Sequence, residues 1–190
     1  MEKRDKTAAV VDGILRLTVT SSAIAAGLLI PNLLVALDKP LQKYWKHLDK
    51  RARERELRRV ITYMKSRKLI TANYEHGLQI TDKGRARLEK TEIHKIKIKR
   101  PSHWDKKWRM VFYDIPEDHK IARNALVQKL RMLSFYQLQK SVWVHPFPCR
   151  ESIEKICSYY EIDSYVSYIE TGFIDNQREL KRKFRSLFKK

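Results

Sequence analysis

The segment 108–148 reads WRMVFYDIPEDHKIARNALVQKLRMLSFYQLQKSVWVHPFP and decides the fold of the second half of the chain. Large apolar side chains predict a strand over 108–113, which ends where the sequence DIP begins at Asp114. Apolar residues at helical spacing then predict a helix over 118–133. The side chains expected to face the core from this helix are Ile121, Ala122, Ala125, Leu126, Leu130 and Leu133.

The rest of the second half continues the alternation of strands and helices. The run FYQLQKSVWVHPFP predicts either two short strands or one bent strand near Gln139. A helix over 150–160, capped by Glu151, and a strand over 165–170 follow. The last predicted element is a basic helix over 175–190. It either packs against a partner subunit through its apolar face or adds phosphate contacts. This order predicts a ferredoxin-like (split βαβ) fold.

The first half contains the clearest amphipathic helix, predicted over 52–66. Apolar residues recur on one face of this helix at positions i, i+3, i+4 and i+7, and that face is expected to pack against a core. The opposite face is almost purely cationic, which suits contact with phosphates. The apolar residues are Leu57, Val60, Ile61 and Met64, and the opposite face carries Arg51, Arg55, Arg58, Arg59, Thr62 and Lys65.

A short hairpin and another helix follow this basic helix. Strands are predicted from Leu69 and over 78–80, with a turn around His76 between them, and Thr81 is placed to cap the next helix. The string LRRVITYMKSRKLITANYEHGLQITDKGRARLEK, residues 57–90, resembles the closing half of winged helix-turn-helix DNA-binding domains. The resemblance implies that Arg55, Arg58, Arg59 and Thr62 face the major groove or its phosphates, while His76 or Lys83 touches the backbone near the wing. The alternative is a solvated basic helix packed on a structural hairpin.

The segment 108–148 resembles the core of the small CRISPR-associated protein 2 family. Over more of the chain, about 50–170, the sequence resembles the PaaX-like transcriptional repressors, which join a winged helix to the same ferredoxin-like module. The resemblance implies an α+β protein with a winged helix-turn-helix DNA-binding domain over 1–90, a linker over 91–103 and a ferredoxin-like dimerisation domain over 104–174. It also implies a repressor-like regulator that binds double-stranded DNA as a homodimer, without cofactor.

Asp114 supports a rival interpretation. It matches the strand-end aspartate with which the CRISPR-associated protein 2 family holds a divalent metal, as a symmetric pair across its dimer. Mg²⁺ would suit such a site, because it is a hard cation that prefers oxygen ligands. The alternative function is therefore a metal-dependent nuclease or a subunit of CRISPR adaptation, with Asp114 as catalytic residue and metal ligand. In the regulator, Asp114 belongs to a turn, and Glu117 and Asp118 favour the dipole of the next helix.

Composition favours a polyanionic partner. The chain of 190 residues has 41 Lys and Arg against 22 Asp and Glu, which gives a formal charge of +19. Such a balance argues against an ordinary enzyme of small neutral metabolites. Two cysteines, eight residues apart, support neither a disulfide framework nor a zinc site, so a reducing, cytoplasmic location is expected.

One uncharged stretch bears on location. The 21 residues over 17–37 carry no charge and are long enough to span a membrane in principle. Several polar side chains and Pro31 interrupt the stretch. We therefore expect two buried helices, about 8–27 and 31–37, broken at Pro31, with a membrane tether as the alternative.

Overall fold

A computed structural model describes residues 2–20, 29–73 and 77–188 of the chain. It divides into two compact units, Met1–His94 and Lys95–Lys190. The predicted turn residue His76 lies outside the described residues, and so does part of the uncharged stretch 17–37. Among the described helices, none combines the length and the apolar character that a membrane crossing needs.

The first unit consists of helices around a two-stranded antiparallel hairpin. In chain order its elements are α1 (Glu2–Thr20), α2 (Leu29–Trp45), α3 (Lys50–Ser66), β1 (Ile70–Asn73), β2 (Gly77–Ile80) and α4 (Asp82–Lys95). The core is formed by apolar side chains of α1, α2 and α3 together with the hairpin, among them Ile14, Leu37, Trp45, Leu57 and Met64.

The predicted break at Pro31 is wrong. Helix α2 begins at Leu29, so Pro31 lies in its first turn, where an amide hydrogen would have no partner within the helix and proline therefore costs little. The helix continues to Trp45, past the predicted end at residue 37. Only four residues separate α2 from α3, so two helices joined by a short turn lie in a region where the sequence shows no clear helix-turn-helix signal.

The second unit contains a four-stranded antiparallel sheet. Its elements are β3 (Trp108–Tyr113), α5 (Lys120–Met132), β4 (Tyr136–Gln139), β5 (Val142–His145), α6 (Arg150–Tyr159), β6 (Val166–Thr171), α7 (Gln177–Lys183) and α8 (Arg185–Phe188). The strand order is β4-β5-β3-β6, with Val111 paired to Trp143 on one side and to Tyr168 on the other. This is the predicted ferredoxin-like, split βαβ arrangement, and it confirms the α+β class.

Each face of this sheet is covered by its own part of the unit. Val111 and Trp143 pack with Leu126, Leu130 and Ile156 of α5 and α6. On the other face, Trp108 and Val144 pack with Leu180 and Phe184. Leu180 and Phe184 are only 1% and 4% exposed. The apolar face of the segment formed by α7 and α8 therefore packs on its own sheet and not against a partner subunit. The segment also forms two short helices, α7 and α8, where one was expected.

The structure of the second unit corrects two local expectations and decides a third. Ile121, expected in the core, is 88% exposed, because the inward stripe of α5 runs through Ala122, Leu126 and Leu130, and Ile121 points about 100° away from Ala122. Glu151 does not cap α6: the N-cap position is Cys149, and the carboxylate of Glu151 accepts from Lys155 Nζ at 2.6 Å. The segment before α6 forms two strands rather than one bent strand.

Candidate nucleic-acid interface

Helix α3 presents the predicted basic face to solvent. Asp49 fixes the start of the helix, because its Oδ1 accepts a hydrogen bond of 2.7 Å from the backbone N–H of Ala52. Leu57, Val60 and Met64 are buried on the inner side. The six residues predicted for DNA contact on this helix are all exposed: Arg51, Arg55, Arg58, Arg59, Thr62 and Lys65.

The cations of this face differ in how far they are already engaged. Within the described part of the chain, Arg51, Arg55, Arg58 and Lys65 form no ion pair with an acidic side chain. Arg59, in contrast, is held by the Glu56 carboxylate through Nε at 2.9 Å and Nη2 at 2.6 Å. This hydrogen-bonded pair raises the pKa of Arg59 above its ordinary value. Arg59 is therefore less available to bind a phosphate than the four cations without an acidic partner.

Two further contacts involve the basic face itself. Arg59 Nη2 also donates to Thr7 Oγ1 of α1, at 3.0 Å. The Thr62 hydroxyl donates to the Arg58 carbonyl one turn earlier, at 3.0 Å, so only its lone pairs are left for an external donor.

Arg53 connects α2 and α3 and was missed by sequence reasoning. Its Nε donates to the Leu48 carbonyl at 2.9 Å, and its Nη1 donates to Asp38 Oδ1 at 2.6 Å. The two bonds tie the start of α3 to the turn before it and to the C-terminal half of α2. In the sequence, Arg53 is one cation in a run of twelve over residues 39–68, and only the three-dimensional position of Asp38 distinguishes it.

The end of α3 leads directly into the hairpin. Lys68 adopts a left-handed backbone conformation with φ of 57°, while the N–H groups of Lys68 and Leu69 donate to the carbonyls of Lys65 and Met64, both at 2.9 Å. This pair of bonds is a Schellman motif, which ends the helix and turns the chain sharply. The hairpin, which the sequence predicts to be a wing, therefore begins directly after the basic face.

The predicted cap at Thr81 is present. Thr81 Oγ1 accepts from the N–H of Gly84 at 3.1 Å and donates to the Lys68 carbonyl at 2.6 Å. A Cβ atom on Gly84 would lie 2.1 Å from the Leu69 carbonyl oxygen, so the glycine of the TDKGR string is required for α4 to pack this closely on the hairpin. Lys83, predicted to contact the backbone, is exposed in the first turn of α4.

The alternative site at Asp114 consists of one exposed carboxylate. Asp114 follows β3, and its backbone N–H donates to the Tyr165 carbonyl at 3.0 Å. Glu117 is engaged elsewhere, with Arg123 at 2.8 Å and Lys120 at 3.0 Å, and these cations lower its pKa. Across the described residues, no three His, Cys, Asp or Glu side chains come together as a metal site. The donor set that this chain supplies does not by itself fit Mg²⁺, which needs several oxygen ligands.

Comparison with known proteins gives one family match. Residues 101–183 match the model of the PaaX protein central Cas2-like domain. Among solved structures, the chain is similar to the uncharacterized protein Rv0674 from Mycobacterium tuberculosis, with 16% identity and a TM-score of 0.35 over 89% of this chain and 62% of that chain. The chain thus spans less than two thirds of that protein. No curated protein matches.

Proposed function

We propose that the chain is a DNA-binding transcriptional regulator that acts as a repressor, because residues 101–183 match the model of the PaaX protein central Cas2-like domain. In this proposal the first unit is a winged helix-turn-helix that binds double-stranded DNA, and the Cas2-like domain forms a homodimer. Repression results from occupancy of the operator, so no bond chemistry is required.

The exposed cations of α3 are the observation that carries this proposal. Arg51, Arg55, Arg58 and Lys65 share one helix face with no acidic partner among the described residues. A helix of this kind fits the major groove, where arginine binds phosphates or donates two hydrogen bonds to a guanine. A merely solvated helix needs no such segregation, because mixed charges serve solubility better than a single-sign face.

Dimerisation is proposed because one recognition helix contacts too few base pairs for specific binding. A two-fold axis doubles those contacts on a palindromic site. In the second unit, the side chains of Ile121, Met132, Ile169 and Phe173 are between 49% and 88% exposed, and they offer apolar area for such an interface.

The proposal is tested by selecting bound sequences from a random DNA pool and measuring affinity for the best site. Arg55→Gln and Arg58→Gln should each weaken binding by about 1–3 kcal/mol. Each should also lower the slope of log affinity against log salt by roughly 0.9 for a lost phosphate contact. Lys90→Gln, which removes one exposed charge of α4, is the matched control. If both arginine variants bind like this control, α3 is not the recognition helix.

A further inference from the structure

The second unit contains a basic groove that the proposed function has not used. It has a volume of about 790 Å³ and lies between the segment 96–101 and the start of α6. Six of its eleven lining residues are charged, and five of these six are basic: Lys97, Lys99, Arg100, Arg150 and Lys155. Glu151 is the one acidic residue among them. We call this feature the 97–155 groove.

The cations on the segment side of the groove have no acidic partner. Within the described residues, Lys97, Lys99 and Arg100 take part in no ion pair. The only carboxylate of the groove is already paired, because Glu151 Oε1 lies 2.6 Å from Lys155 Nζ. Arg150 stacks on the Tyr168 ring at 4.5 Å and lies 3.6 Å from Glu154. The groove therefore keeps a clear excess of positive charge that the protein itself does not neutralise.

The backbone holds these side chains in place. Ile96 and Ile98 pack against the core formed by the sheet with α5 and α6, while the alternate residues Lys97 and Lys99 are exposed. Anchoring on two isoleucines keeps the segment next to α6, although it has no regular secondary structure. The cations are thus presented on a fixed part of the domain, which reduces the entropy lost when they bind a ligand.

The floor of the groove adds no negative charge. Cys149 is buried there, and burial raises the pKa of its thiol to about 12, so the sulfur stays neutral at physiological pH. Pro101 and Pro148 complete the lining and carry no acidic group.

We propose that the 97–155 groove is a second DNA-contact surface, which binds backbone phosphates of the duplex without reading its sequence. This inference rests on the proposed function. A groove of this size has room for several phosphate oxygens with their water, since one water occupies about 30 Å³ of liquid. Pockets for small organic ligands are lined predominantly by apolar and aromatic side chains. Among the described residues that line this groove, none is aromatic and five of the eleven are cations. Unpaired lysines and arginines are the groups that release counterions from DNA on binding.

The test compares four forms of the full chain on the selected operator at several salt concentrations. They are the wild type, a groove variant (Lys97→Gln, Lys99→Gln and Arg100→Gln), an α3 variant (Arg55→Gln with Arg58→Gln) and a control. The control, Lys106→Gln with Lys140→Gln and Arg182→Gln, removes three exposed charges of the same unit outside the groove. The groove variant should bind roughly tenfold or more weakly than the control, with a salt slope lower by about 2–3. Its preference among operator sequences should not change, because phosphate contacts carry no sequence information.

A second measurement locates the contact on the wild-type protein. Acetylation of lysines in the presence and absence of the duplex, followed by mass spectrometry, should show Lys97 and Lys99 protected several-fold relative to Lys106 and Lys140. Equal affinity of the groove and control variants overturns the proposal, as does protection of Lys97 and Lys99 by inorganic pyrophosphate but not by DNA, which would indicate a small-anion site. In both cases a weakened α3 variant still supports the proposed function. Failure of the wild type to bind any DNA overturns the proposed function itself.

Discussion

Arg109 in the second unit and the pair Arg55 and Arg58 in the first unit are used in opposite ways. Arg109 of β3 is only 2% exposed, and its guanidinium binds the Asp105 carboxylate, the Lys107 and Pro146 carbonyls at 2.9 Å, and Glu170 at 3.7 Å. Arg55 and Arg58 of α3 are exposed and have no acidic partner among the described residues. The same residue type therefore completes a fold in one unit and is left available to an external partner in the other.

This contrast shows why net charge alone does not locate a binding surface. A guanidinium has five N–H donors, and burial is tolerated only when most of them are satisfied. Arg109 directs the donors of Nη1 and Nη2 at oxygens of its own chain, so it adds to the charge of the protein without adding to its affinity for phosphate. Exposed arginines without acidic partners are the ones that count in the proposed interfaces.

The contrast is tested most strongly by removing the buried guanidinium. Arg109→Met keeps the unbranched apolar stem of the side chain but leaves Asp105 and the Pro146 carbonyl without their donor and Glu170 without a nearby cation. We expect the free energy of unfolding to fall by about 3–4 kcal/mol, measured by urea denaturation followed through tryptophan fluorescence. Arg58→Gln is the comparison variant and should change the unfolding free energy by less than about 0.5 kcal/mol. If Arg109→Met lowers the free energy of unfolding by less than about 1 kcal/mol, Arg109 contributes as little to stability as the exposed arginines do.

His145 gives the next largest effect, because burial in the second unit removes its charge. The pKa of His145 is lowered to about 4, mainly by burial and to a smaller extent by Arg109 and Arg100, while its bond with the Phe147 backbone opposes this. The unfolded chain, with a histidine pKa of about 6.5, binds a proton first as the pH falls. His145 therefore lowers no stability above about pH 6.5, where it is neutral in both states. As the pH falls toward 4, the free energy of unfolding decreases by up to about 2–3 kcal/mol.

This pH dependence is measured as unfolding free energy between pH 7 and pH 5, where few carboxylates titrate. His145→Asn is the control variant: it keeps an acceptor for the Phe147 N–H, which lies 3.1 Å from His145 Nδ1, but cannot be protonated in this range. The wild type should lose stability over this interval relative to the variant. If the unfolding free energies of the wild type and the variant change in parallel with pH, His145 accepts a proton in the folded state as readily as in the unfolded state.

The elements that sequence predicted well are those in which a local pattern and the tertiary structure agree. The apolar stripe of α3 and strand β3 were predicted because burial follows their periodicity directly. Pro31 misled the prediction, because proline stops a helix in its interior but is accepted in its first turn. Ile121 misled it because the buried stripe of α5 through Ala122 and Leu126 is narrower than the apolar pattern of the sequence.

The candidate site was predictable only in part for a similar reason. The spacing of Arg51, Arg55 and Arg58 places them on one face, which sequence alone can establish. The pairing of Arg59 with Glu56 is a contact between positions i and i+3 of one helix, which a local pattern can indicate. The bond of Arg59 to Thr7 depends instead on how α1 packs on α3, and the groove near Lys97 depends on the approach of a coil segment to α6. These last two relations join residues far apart in sequence, and no local pattern reports them.

Arg59 lies between the two extremes of the comparison and permits a finer test. Glu56→Gln removes the carboxylate that holds its guanidinium while leaving its bond to Thr7 possible. Affinity for the operator should rise about two- to fivefold, because Arg59 can then turn toward a phosphate and a repulsive charge is lost. Glu89→Gln on α4 makes the same change of charge at another exposed position and is the control. A rise that the control reproduces would be an effect of net charge alone.

Substitution of Asp114 should have the smallest effect on function. It tests whether an exposed acidic group contributes to function as the exposed arginines are proposed to do. A single solvent-exposed carboxylate holds Mg²⁺ only weakly, because the ion keeps its waters unless several oxygens replace them. A second chain would have to bring its own Asp114 into the same site to change this. We therefore expect Asp114→Asn to bind the operator within twofold of the wild type, and neither protein to cleave labelled DNA or RNA at millimolar Mg²⁺ or Mn²⁺. Cleavage by the wild type that the variant lacks would mean that two such carboxylates meet across a dimer, and would turn the proposed regulator into a nuclease.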